Sequence, residues 1–512
     1  MKNSLLEDRL FQVQTRQGSS SMALPEVLSA LYEDEIISFD ALQAHQEQAW
    51  YSFLVQLAAM AVVRANDGTI PDTAEEWRGA LLTLADGNEN AWRLVVPDLE
   101  EPAFLQPPVP EGSLDDANFK SDIPSPSNLD VLVTSKNHDV KQQRISHPDP
   151  EHWIYALVTL QTMEGYMGRG NYGIVRINSG YGSRPFLGLS PELSFGARFL
   201  RDLNVLVDQH DDLTTLYDIE DGHTLIWTVP WNGEKSSALP LRKCDPYFVE
   251  VCRRIRFTEE GGDIVCWRAT SKGQRIDAPS SLNGRTEDPW TPVDSEEEKS
   301  LTLSGEGFTY EKLQEIVFGE YVRPASLQRH NGDDGAMYLT ARAMVRGQGK
   351  TEGLHHRIIP IPEEVYGLFP DKETMDELAD RAKQRVKLVS KVESNVLRPA
   401  VAALLSAGED EDVDWEQVQP WIDAFDDTVD DHFFDYLWAS VEAEDEAEAE
   451  HEWEAFLRNE AEQQFDEAQD SVPLPNIRRW EALSAARSVF HSRIDDVLDG
   501  ASSTAPSTAP IA

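Results

Sequence analysis

Residues 164–201 combine three residue types that suit contact with nucleic acid. The centre of this segment reads Gly168-Arg169-Gly170-Asn171-Tyr172-Gly173, in a chain whose formal net charge is -46. Five arginines outnumber two glutamates there: Arg169, Arg176, Arg184, Arg198 and Arg201. Glycines let a backbone approach a ligand closely, arginines bind phosphate through a planar fork, and aromatic rings offer stacking faces. The segment therefore predicts a local nucleic-acid surface on an acidic protein.

The same glycines match the dinucleotide-binding pattern G-x-G-x-x-G, but their neighbours argue against a nucleotide cofactor. That pattern needs a strand before it and a helix after it, so that the pyrophosphate meets a helix N-terminus. Here a helical stretch at 152–163 precedes the glycines, and a β-branched run at 174–177 follows them. We therefore predict that the protein has no cofactor.

Three cysteines are too few and too widely spaced for a structural metal site. Such zinc sites need four nitrogen or sulfur ligands at close paired spacing, whereas Cys244, Cys252 and Cys266 form no such pairs. We expect them to be buried thiols in strands, and we predict no metal site. Because three cysteines cannot form a disulfide framework, a reducing compartment is the default expectation.

Histidine and aspartate residues leave one catalytic alternative open. His210, Asp211 and Asp212 could belong to a metal-dependent hydrolase, although such an enzyme needs further histidines and aspartates at matched positions. His355-His356 is more simply a surface pair. The sequence contains no Walker loop, nucleophile elbow or H-E-x-x-H pattern. We therefore predict that the protein is not an enzyme, with the hydrolase as the alternative.

The charge distribution limits how the chain could bind nucleic acid. Phosphate neutralisation supplies most non-specific DNA affinity, and an acidic chain repels a polyanion at long range. Residues 401–470 hold 25 acidic side chains and one basic side chain, Arg458. This block favours a solvated helical face over a docking surface for a basic partner, and an acidic scaffold protein is a further alternative. In a scaffold, the arginines of 164–201 would pair with carboxylates.

The elements that must position these residues indicate an α+β fold. For 512 residues we expect two or three domains. Periodicity predicts helices at 41–64 and 152–163, and strands at 225–229, 247–251 and 264–267. Residues 1–370 are predicted to form a large mixed α/β recognition domain.

From about residue 372 the pattern becomes helical. Four amphipathic stretches near 372–406, 414–443, 446–469 and 475–499 predict a four-helix bundle over residues 371–499. Ten aromatic residues are available for its core: Trp421, Phe425, Phe433, Phe434, Trp438, Trp453, Phe456, Phe465, Trp480 and Phe490. Residues 500–512 are rich in Ala, Ser, Thr and Pro, which predicts a disordered tail.

No part of the sequence predicts membrane association. The longest apolar run, at 53–63, is interrupted by Gln56 and is too short to span a bilayer. The first residues lack the apolar core of a signal peptide. We therefore expect a soluble, cytoplasmic protein.

Taken in order, these pieces resemble the CasA family, the large subunit of the type I-E CRISPR surveillance complex called Cascade. The resemblance rests on residues 5–13, Phe104-Leu105-Gln106, the loop around Asn137, the glycine and arginine segment, Cys244-Asp245-Pro246, Asn283-Gly284, Tyr321 and the closing helical region. It implies a non-catalytic subunit that recognises the protospacer-adjacent motif of double-stranded DNA, aids duplex opening and recruits a helicase-nuclease. The partners implied are the guide crRNA, the backbone subunit CasC, the small subunit CasB, and CasD.

The resemblance also implies DNA contacts for particular residues. A loop that reads the minor groove falls on Gly168, Arg169, Gly170 and Asn171, where missing side chains would let backbone groups reach base edges. A lysine that enters the minor groove corresponds here to Lys272 or Arg275, and the sequence does not separate these two residues.

Two further loops have implied roles. The loop that contacts the guide RNA handle falls on Ser135, Lys136 and Asn137, in a polar stretch whose simplest alternative is an exposed turn. The wedge that splits the DNA strands is a glutamine followed by glycine. Gln348-Gly349 is the best match, with an ordinary flexible loop as its alternative.

Overall fold

A computed structural model describes residues 3–130, 145, 147–177, 183–319, 321–347, 350–406, 413–443, 445–474 and 477–502. The chain has an α+β fold, as the sequence predicts, and it groups into two compact units. The first, which we call the mixed unit, comprises residues 1–308 and 320–360. The second, the helical unit, comprises residues 309–319 and 361–512.

The described part of the mixed unit contains five α-helices and several small sheets. Its helices are α1 (Leu24–Tyr32), α2 (Ala44–Ala65), α3 (Ala74–Leu84), α4 (Pro150–Met163) and α5 (Phe195–Gln209). Its strands are β1 (Phe11–Thr15), β2 (Gly18–Met22), β3 (Ile36–Phe39), β4 (Lys120–Ile123), β5 (Phe186–Ser190), β6 (His223–Leu225), β7 (Leu239–Pro240), β8 (Cys244–Val249), β9 (Arg254–Glu260), β10 (Asp263–Ala269), β11 (Ile276–Asp277), β12 (Val293–Asp294), β13 (Lys299–Ser300), β14 (Tyr321–Val322), β15 (Met337–Gly347) and β16 (Lys350–Ile361).

Helix α2 lies at the centre of the mixed unit because its sequence is apolar on every face. Residues 49–62 are buried, and the helix packs against α3, α4, α5 and β8. The buried amide of Gln56 donates to the carbonyl oxygens of Tyr247 and Phe248, at 3.2 and 3.1 Å. This helix and α4 confirm the two helices that periodicity predicts.

The strands form several short sheets rather than one large sheet. Three-stranded sheets have the orders β2-β1-β3, β4-β10-β9, β13-β12-β14 and β16-β15-β5, and two parallel pairs join β11 to β7 and β6 to β8. β9 and β10 form a hairpin whose two-residue turn, Gly261-Gly262, has positive φ at both positions. Such a turn matches the twist of the two strands. Residues 270–275 follow directly after the hairpin.

One predicted strand, at 225–229, is largely wrong. The strand observed there covers only 223–225, and residues 226–228 form a 3₁₀ turn. The indole of Trp227 donates to the carbonyl oxygen of Ala91 at 2.9 Å, and its ring packs edge-on against Trp92 and Phe104. Tertiary packing of this large side chain overrides the local β-propensity.

The helical unit confirms the predicted bundle of four long helical segments. Its helices are α6 (Tyr310–Phe318), α7 (Glu363–Gly367), α8 (Lys372–Val392), α9 (Arg398–Leu405), α10 (Gln419–Glu442), α11 (Glu446–Ser471) and α12 (Arg479–Ser502). A π-helical turn at 393–397 joins α8 to α9, so these two form one of the four segments. Within the described residues, no helix is long and apolar enough to cross a membrane.

Most of the predicted aromatic core of the helical unit is buried, with one clear correction. Phe425, Phe433 and Trp453 are fully buried, whereas Trp480, in the first turn of α12, is 79 % exposed. The core also includes α6, which comes from an earlier part of the chain. The ring of Tyr310 lies 4.8 Å from that of Phe433.

Candidate nucleic-acid interface

The glycines of residues 165–173, which we call the glycine loop, allow its two ends to touch. The amide of Ile174 donates to the carbonyl oxygen of Glu164 at 3.0 Å. A Cβ on Gly173 would stand 2.2 Å from the backbone carbon of Gly165. Only glycine permits this approach. The two ends of the loop therefore lie together beside the C-terminal end of α4.

The tip of the glycine loop is a narrow turn held by its own backbone. The amide of Met167 donates to the carbonyl oxygen of Asn171, and the amide of Asn171 donates to that of Gly168, both at 3.0 Å. Gly168 and Gly170 have φ of 95° and 92°, a region that strains other residues. Apart from its chain neighbours, no atom of the described residues lies within 4 Å of the position that a Cβ on Gly168 would occupy. The backbone at Gly168 is therefore open to a ligand.

A buried guanidinium connects the two ends of the glycine loop. Arg253 donates from Nη2 to the carbonyl oxygen of Gly165 at 2.8 Å and from Nη1 to that of Tyr172. The backbone of Arg253 is bonded in turn to the Gln161 side chain on α4, whose Oε1 accepts from the Arg253 amide at 2.8 Å. The loop is thus fixed to the core of the mixed unit before any ligand binds.

The glycine loop packs against residues 270–272, which follow the β9–β10 hairpin. The amide of Ser271 donates to the carbonyl oxygen of Gly170 at 3.0 Å. A Cβ on Gly170 would stand 2.9 Å from the Thr270 Cβ, so the two loops are in direct contact. The amide of Lys272 then donates to the carbonyl oxygen of Gly233 at 2.7 Å. Three loops therefore meet at one surface.

Two exposed cations belong to this surface. Arg169 is exposed at the tip of the glycine loop, and in the described part of the chain no carboxylate forms an ion pair with it. The side chain of Lys272 is 70 % exposed, and its Nζ lies 2.6 Å from Oε1 of Glu234. The structure therefore brings together the glycine loop and Lys272, which lie about a hundred positions apart in the sequence.

Arg275, the other candidate for the minor groove, is not available to a ligand. It is 2 % exposed, and its guanidinium donates to the carbonyl oxygens of Ser237 and Val229 at 2.7 and 2.8 Å. The same group lies over the ring of Trp231. The charge of Arg275 is therefore directed into the protein, and Lys272 is the exposed member of the two. A DNA contact by either residue stays a prediction.

Most of the arginines in 164–201 are buried or half-buried, so they add little charge to the local nucleic-acid surface that the segment predicts. Arg176 and Arg184 are buried and share Glu250 and Asp288, with a 2.9 Å contact from Arg176 to Glu250. The other two partly or fully buried arginines are Arg198, which lies over the Tyr51 ring, and Arg201, which pairs with Asp333. The scaffold alternative expects pairing with carboxylates, which Arg176, Arg184 and Arg201 show. Arg198 instead contacts an aromatic ring, and Arg169 is exposed.

A groove of about 660 Å³ opens beside the glycine loop, and sequence reasoning missed most of it. Tyr166 and Tyr172, which flank the tip of the loop, line it together with Lys235 and Lys272. The tyrosines were detectable as the aromatic component of the glycine segment. Lys235 carried no signal, because only folding brings residues 231–235 next to the loop.

The residues of the hydrolase alternative do not form a metal site. His210 is buried, with Nδ1 3.1 Å from Asp211 and Nε2 3.4 Å from Asp245. Across the residues that the structure describes, no group of three or more His, Cys, Asp or Glu side chains could hold a metal ion. The geometry therefore gives no support to a metal-dependent hydrolase.

The three cysteines are buried, and no disulfide joins any two of them. Cys244 begins β8 and Cys266 lies in β10, as predicted, whereas Cys252 follows a strand rather than lying in one. Burial raises the pKa of Cys244 to about 12, so this thiol stays protonated at neutral pH.

Two predicted contacts lie outside the described residues. They are the guide-handle residues Ser135, Lys136 and Asn137, and the wedge residues Gln348 and Gly349. The strands on either side of 348–349, β15 and β16, are neighbours in one sheet.

A family model and several solved structures are similar to this chain. The family model for CRISPR-associated protein Cse1 matches residues 4–464. No curated protein matches the sequence. The Cse1 structure from Acidimicrobium ferrooxidans is 14 % identical, with a TM-score of 0.65 over 98 % of this chain and 99 % of that one. CasA from Thermus thermophilus is 16 % identical, with a TM-score of 0.64 over 98 % and 100 %. A chain of a CRISPR RNA-guided surveillance complex is 12 % identical, with a TM-score of 0.56 over 96 % and 99 %.

Proposed function

The chain belongs to the CRISPR-associated Cse1 family, and from this premise we propose that it is the non-catalytic large subunit of a type I-E Cascade complex. Two observations support the proposal: the family model covers most of the chain, and the fold resembles a chain of an RNA-guided surveillance complex. Its partners would be the guide crRNA, CasB, CasC, CasD, target double-stranded DNA and a helicase-nuclease, in the cytoplasm.

The proposed activity is recognition of the protospacer-adjacent motif from the minor groove. The observation that carries it is the glycine loop, whose tip is held open by backbone bonds and lies beside the exposed Lys272. The minor groove presents few distinguishing groups, so a backbone and one cation can read it tolerantly. Gly168, Gly170 and Asn171 would supply the backbone contacts, and Arg169 and Lys272 the charge.

Duplex opening and helicase-nuclease recruitment are further parts of this proposal, which rest on the family alone. Gln348-Gly349 would separate the strands, and residues 135–137 would contact the guide handle. Recognition of the target DNA would be shared: the protein would select a short motif, and the guide RNA would pair with the target.

The acidity of the chain is consistent with a reader that works only inside an assembly. A net charge of -46 opposes long-range attraction of DNA. Partner subunits and the guide would hold the duplex against a surface that has few cations of its own. We therefore expect the isolated chain to bind duplex DNA weakly.

The test uses the assembled complex with its guide and a library of target duplexes whose flanking positions are randomised. The wild-type complex should enrich a small set of flanks. Arg169→Glu and Lys272→Ala should each weaken binding of those duplexes by about tenfold and flatten the enrichment. Retention of both the affinity and the enriched flanks in these variants would show that the glycine loop is not the reader.

Arg9→Ala is the matched control for Lys272→Ala. Arg9 is also an exposed cation in a pair, 66 % exposed and 2.6 Å from Glu26. Because it is similar in exposure and pairing to Lys272, any general effect of losing a surface cation should appear in both variants. Subunit assembly, measured by gel filtration, should be unchanged in all of them.

A further inference from the structure

We infer that the groove beside the glycine loop binds the sugar-phosphate backbone of one strand of the duplex, with Lys235 as its phosphate contact. This inference rests on the proposed function, because the duplex is the ligand that the glycine loop would present to the groove. Lys272 lies between the groove and the glycine loop, because it lines the groove and the amide of its neighbour Ser271 donates a hydrogen bond to the loop. One duplex could therefore contact both surfaces.

Lys235 is placed to act on a ligand rather than on the protein. It is exposed, and among the described residues no carboxylate forms an ion pair with it. Its aliphatic part packs against Gly273, where a Cβ would stand 3.0 Å from Lys235 Cγ. The contact supports the base of the side chain, from Cα to Cγ, and Lys235 lines the groove. A lysine of this kind binds phosphate as a point charge.

The local charge of the groove differs from that of the chain. Lys235 and Lys272 line it, and the carboxylates nearby are Asp277, which also lines it, and Glu234, which pairs with Lys272. When a phosphate displaces Glu234 from Lys272, both ammonium groups become available to the ligand. With two lysines and two carboxylates the groove is close to neutral, so a phosphate meets much less repulsion there than the net charge of -46 implies for the whole protein.

The tyrosines favour a backbone over an inserted base. The ring centroids of Tyr166 and Tyr172 are 5.8 Å apart and the rings are tilted by 51°, so they touch each other. A base stacked between two rings needs parallel faces with space between them, which this pair does not provide. Rings of this kind can pack against deoxyribose, and their hydroxyl groups can donate to phosphate oxygens. The ligand class is therefore a duplex backbone rather than an unstacked base.

Salt dependence tests this inference in the assembled complex. Binding of a duplex with an enriched flank and of one with a depleted flank is measured by fluorescence anisotropy across a range of salt concentrations. Lys235→Ala should reduce the slope of log K against log salt by about 0.9, and the affinity by about fivefold near 0.15 M salt, equally for both duplexes. Lys235→Arg should restore the slope. Arg9→Ala should leave it unchanged.

The outcomes separate this inference from the proposed function. If Lys235→Ala leaves the salt slope unchanged, the groove does not bind the duplex backbone. If Lys235→Ala changes the salt slope for binding of guide RNA and not for binding of the duplex, the groove binds RNA, and the inference is also overturned. If the wild-type complex shows no flank preference, the proposed motif reading fails, while the slope of the Lys235 variant still decides the groove.

Discussion

Lys272 and Arg275 show how burial decides what a cation can do. They lie three positions apart on one loop, and the sequence offers no reason to choose between them. Folding leaves Lys272 exposed and directs Arg275 toward two carbonyl oxygens and an indole ring. Desolvation lowers the pKa of Arg275 to about 10, yet it remains charged at neutral pH and is satisfied within the protein. Burial depends on distant residues, so sequence alone could not separate the two.

The ion pair between Lys272 and Glu234 gives a prediction at the level of single residues. If Lys272 contacts the duplex as proposed, Glu234→Gln would remove the carboxylate that competes with the DNA for Lys272, so duplex affinity of the assembled complex should rise. Because an exposed pair is worth at most about 1 kcal/mol, we expect an increase of about two- to fivefold at low salt. Anisotropy titrations would measure it.

Glu26→Gln is the control for this prediction, because Glu26 pairs with Arg9 in the same way. Both substitutions remove one negative charge from the mixed unit, so a general electrostatic effect would raise affinity in both. An equal rise in the two variants would contradict a specific role for Lys272.

Among the structural elements, the glycine loop depends on Arg253 for its shape. Arg253→Lys keeps the positive charge but loses the fork that reaches Gly165 and Tyr172 together. The ends of the loop should then separate more often, so the amides of Met167 and Asn171 should exchange with deuterium faster. We also expect a loss of flank preference that is at least as large as the loss of affinity.

Arg254→Lys provides the comparison for Arg253→Lys. Arg254 is the next residue in the chain and is also buried, but it donates to the carbonyl oxygen of Ala117 and lies near Glu111. Its substitution should affect the β4-β10-β9 sheet and leave exchange in the glycine loop unchanged. Similar exchange in both variants would mean that the loop does not depend on the Arg253 contacts.

Sequence patterns predicted the elements of this protein better than its site. The four long helical segments follow from amphipathic periodicity, and α2 follows from a continuous apolar run. Trp227 and the buried Arg176 were misjudged because their conformations depend on partners far along the chain. The glycine loop was identified from glycine spacing, which directly reports backbone geometry. Lys235 had no such signal, so only the folded structure could place it in the groove.

Helix α6 shows that the helical unit includes a segment of distant sequence, which gives a prediction for that unit. Leu313 is completely buried in α6, and α6 packs against α8. Leu313→Ala should destabilise the helical unit by about 2–5 kcal/mol through loss of packing and a cavity. Hydrogen exchange should accelerate in α8 and α10 and remain unchanged in the β9–β10 hairpin.

Lys312→Ala on the same helix is the control, because Lys312 is partly exposed and pairs with Glu315. It should change stability by less than about 1 kcal/mol. If Leu313→Ala leaves exchange in α8 unchanged, α6 does not contribute to the core of the helical unit.

At the scale of the whole molecule, two glutamates with raised pKa values should make the free energy of unfolding fall as the pH rises. Desolvation raises the pKa of Glu151 in the mixed unit and of Glu393 in the helical unit to about 7. Asp149 adds to the shift of Glu151, and Asp426 adds to that of Glu393. Between the ordinary glutamate pKa and about 7, the folded protein therefore binds more protons than the unfolded chain. Stability must fall as pH rises through this window.

We expect the urea midpoint to be highest near pH 5 and to decrease toward pH 7.5. Repulsion within a chain of net charge -46 acts in the same direction, so the two causes must be separated.

High salt screens exposed charges but not the desolvation of buried carboxyl groups. In about 1 M salt, Glu151→Gln with Glu393→Gln should therefore reduce the remaining pH dependence, by on the order of 1 kcal/mol for each group after solvent screening. An unchanged pH profile in the double variant at high salt would assign the effect to other carboxyl groups. Glu448→Gln with Glu454→Gln, two changes on α11, would control for the loss of two charges.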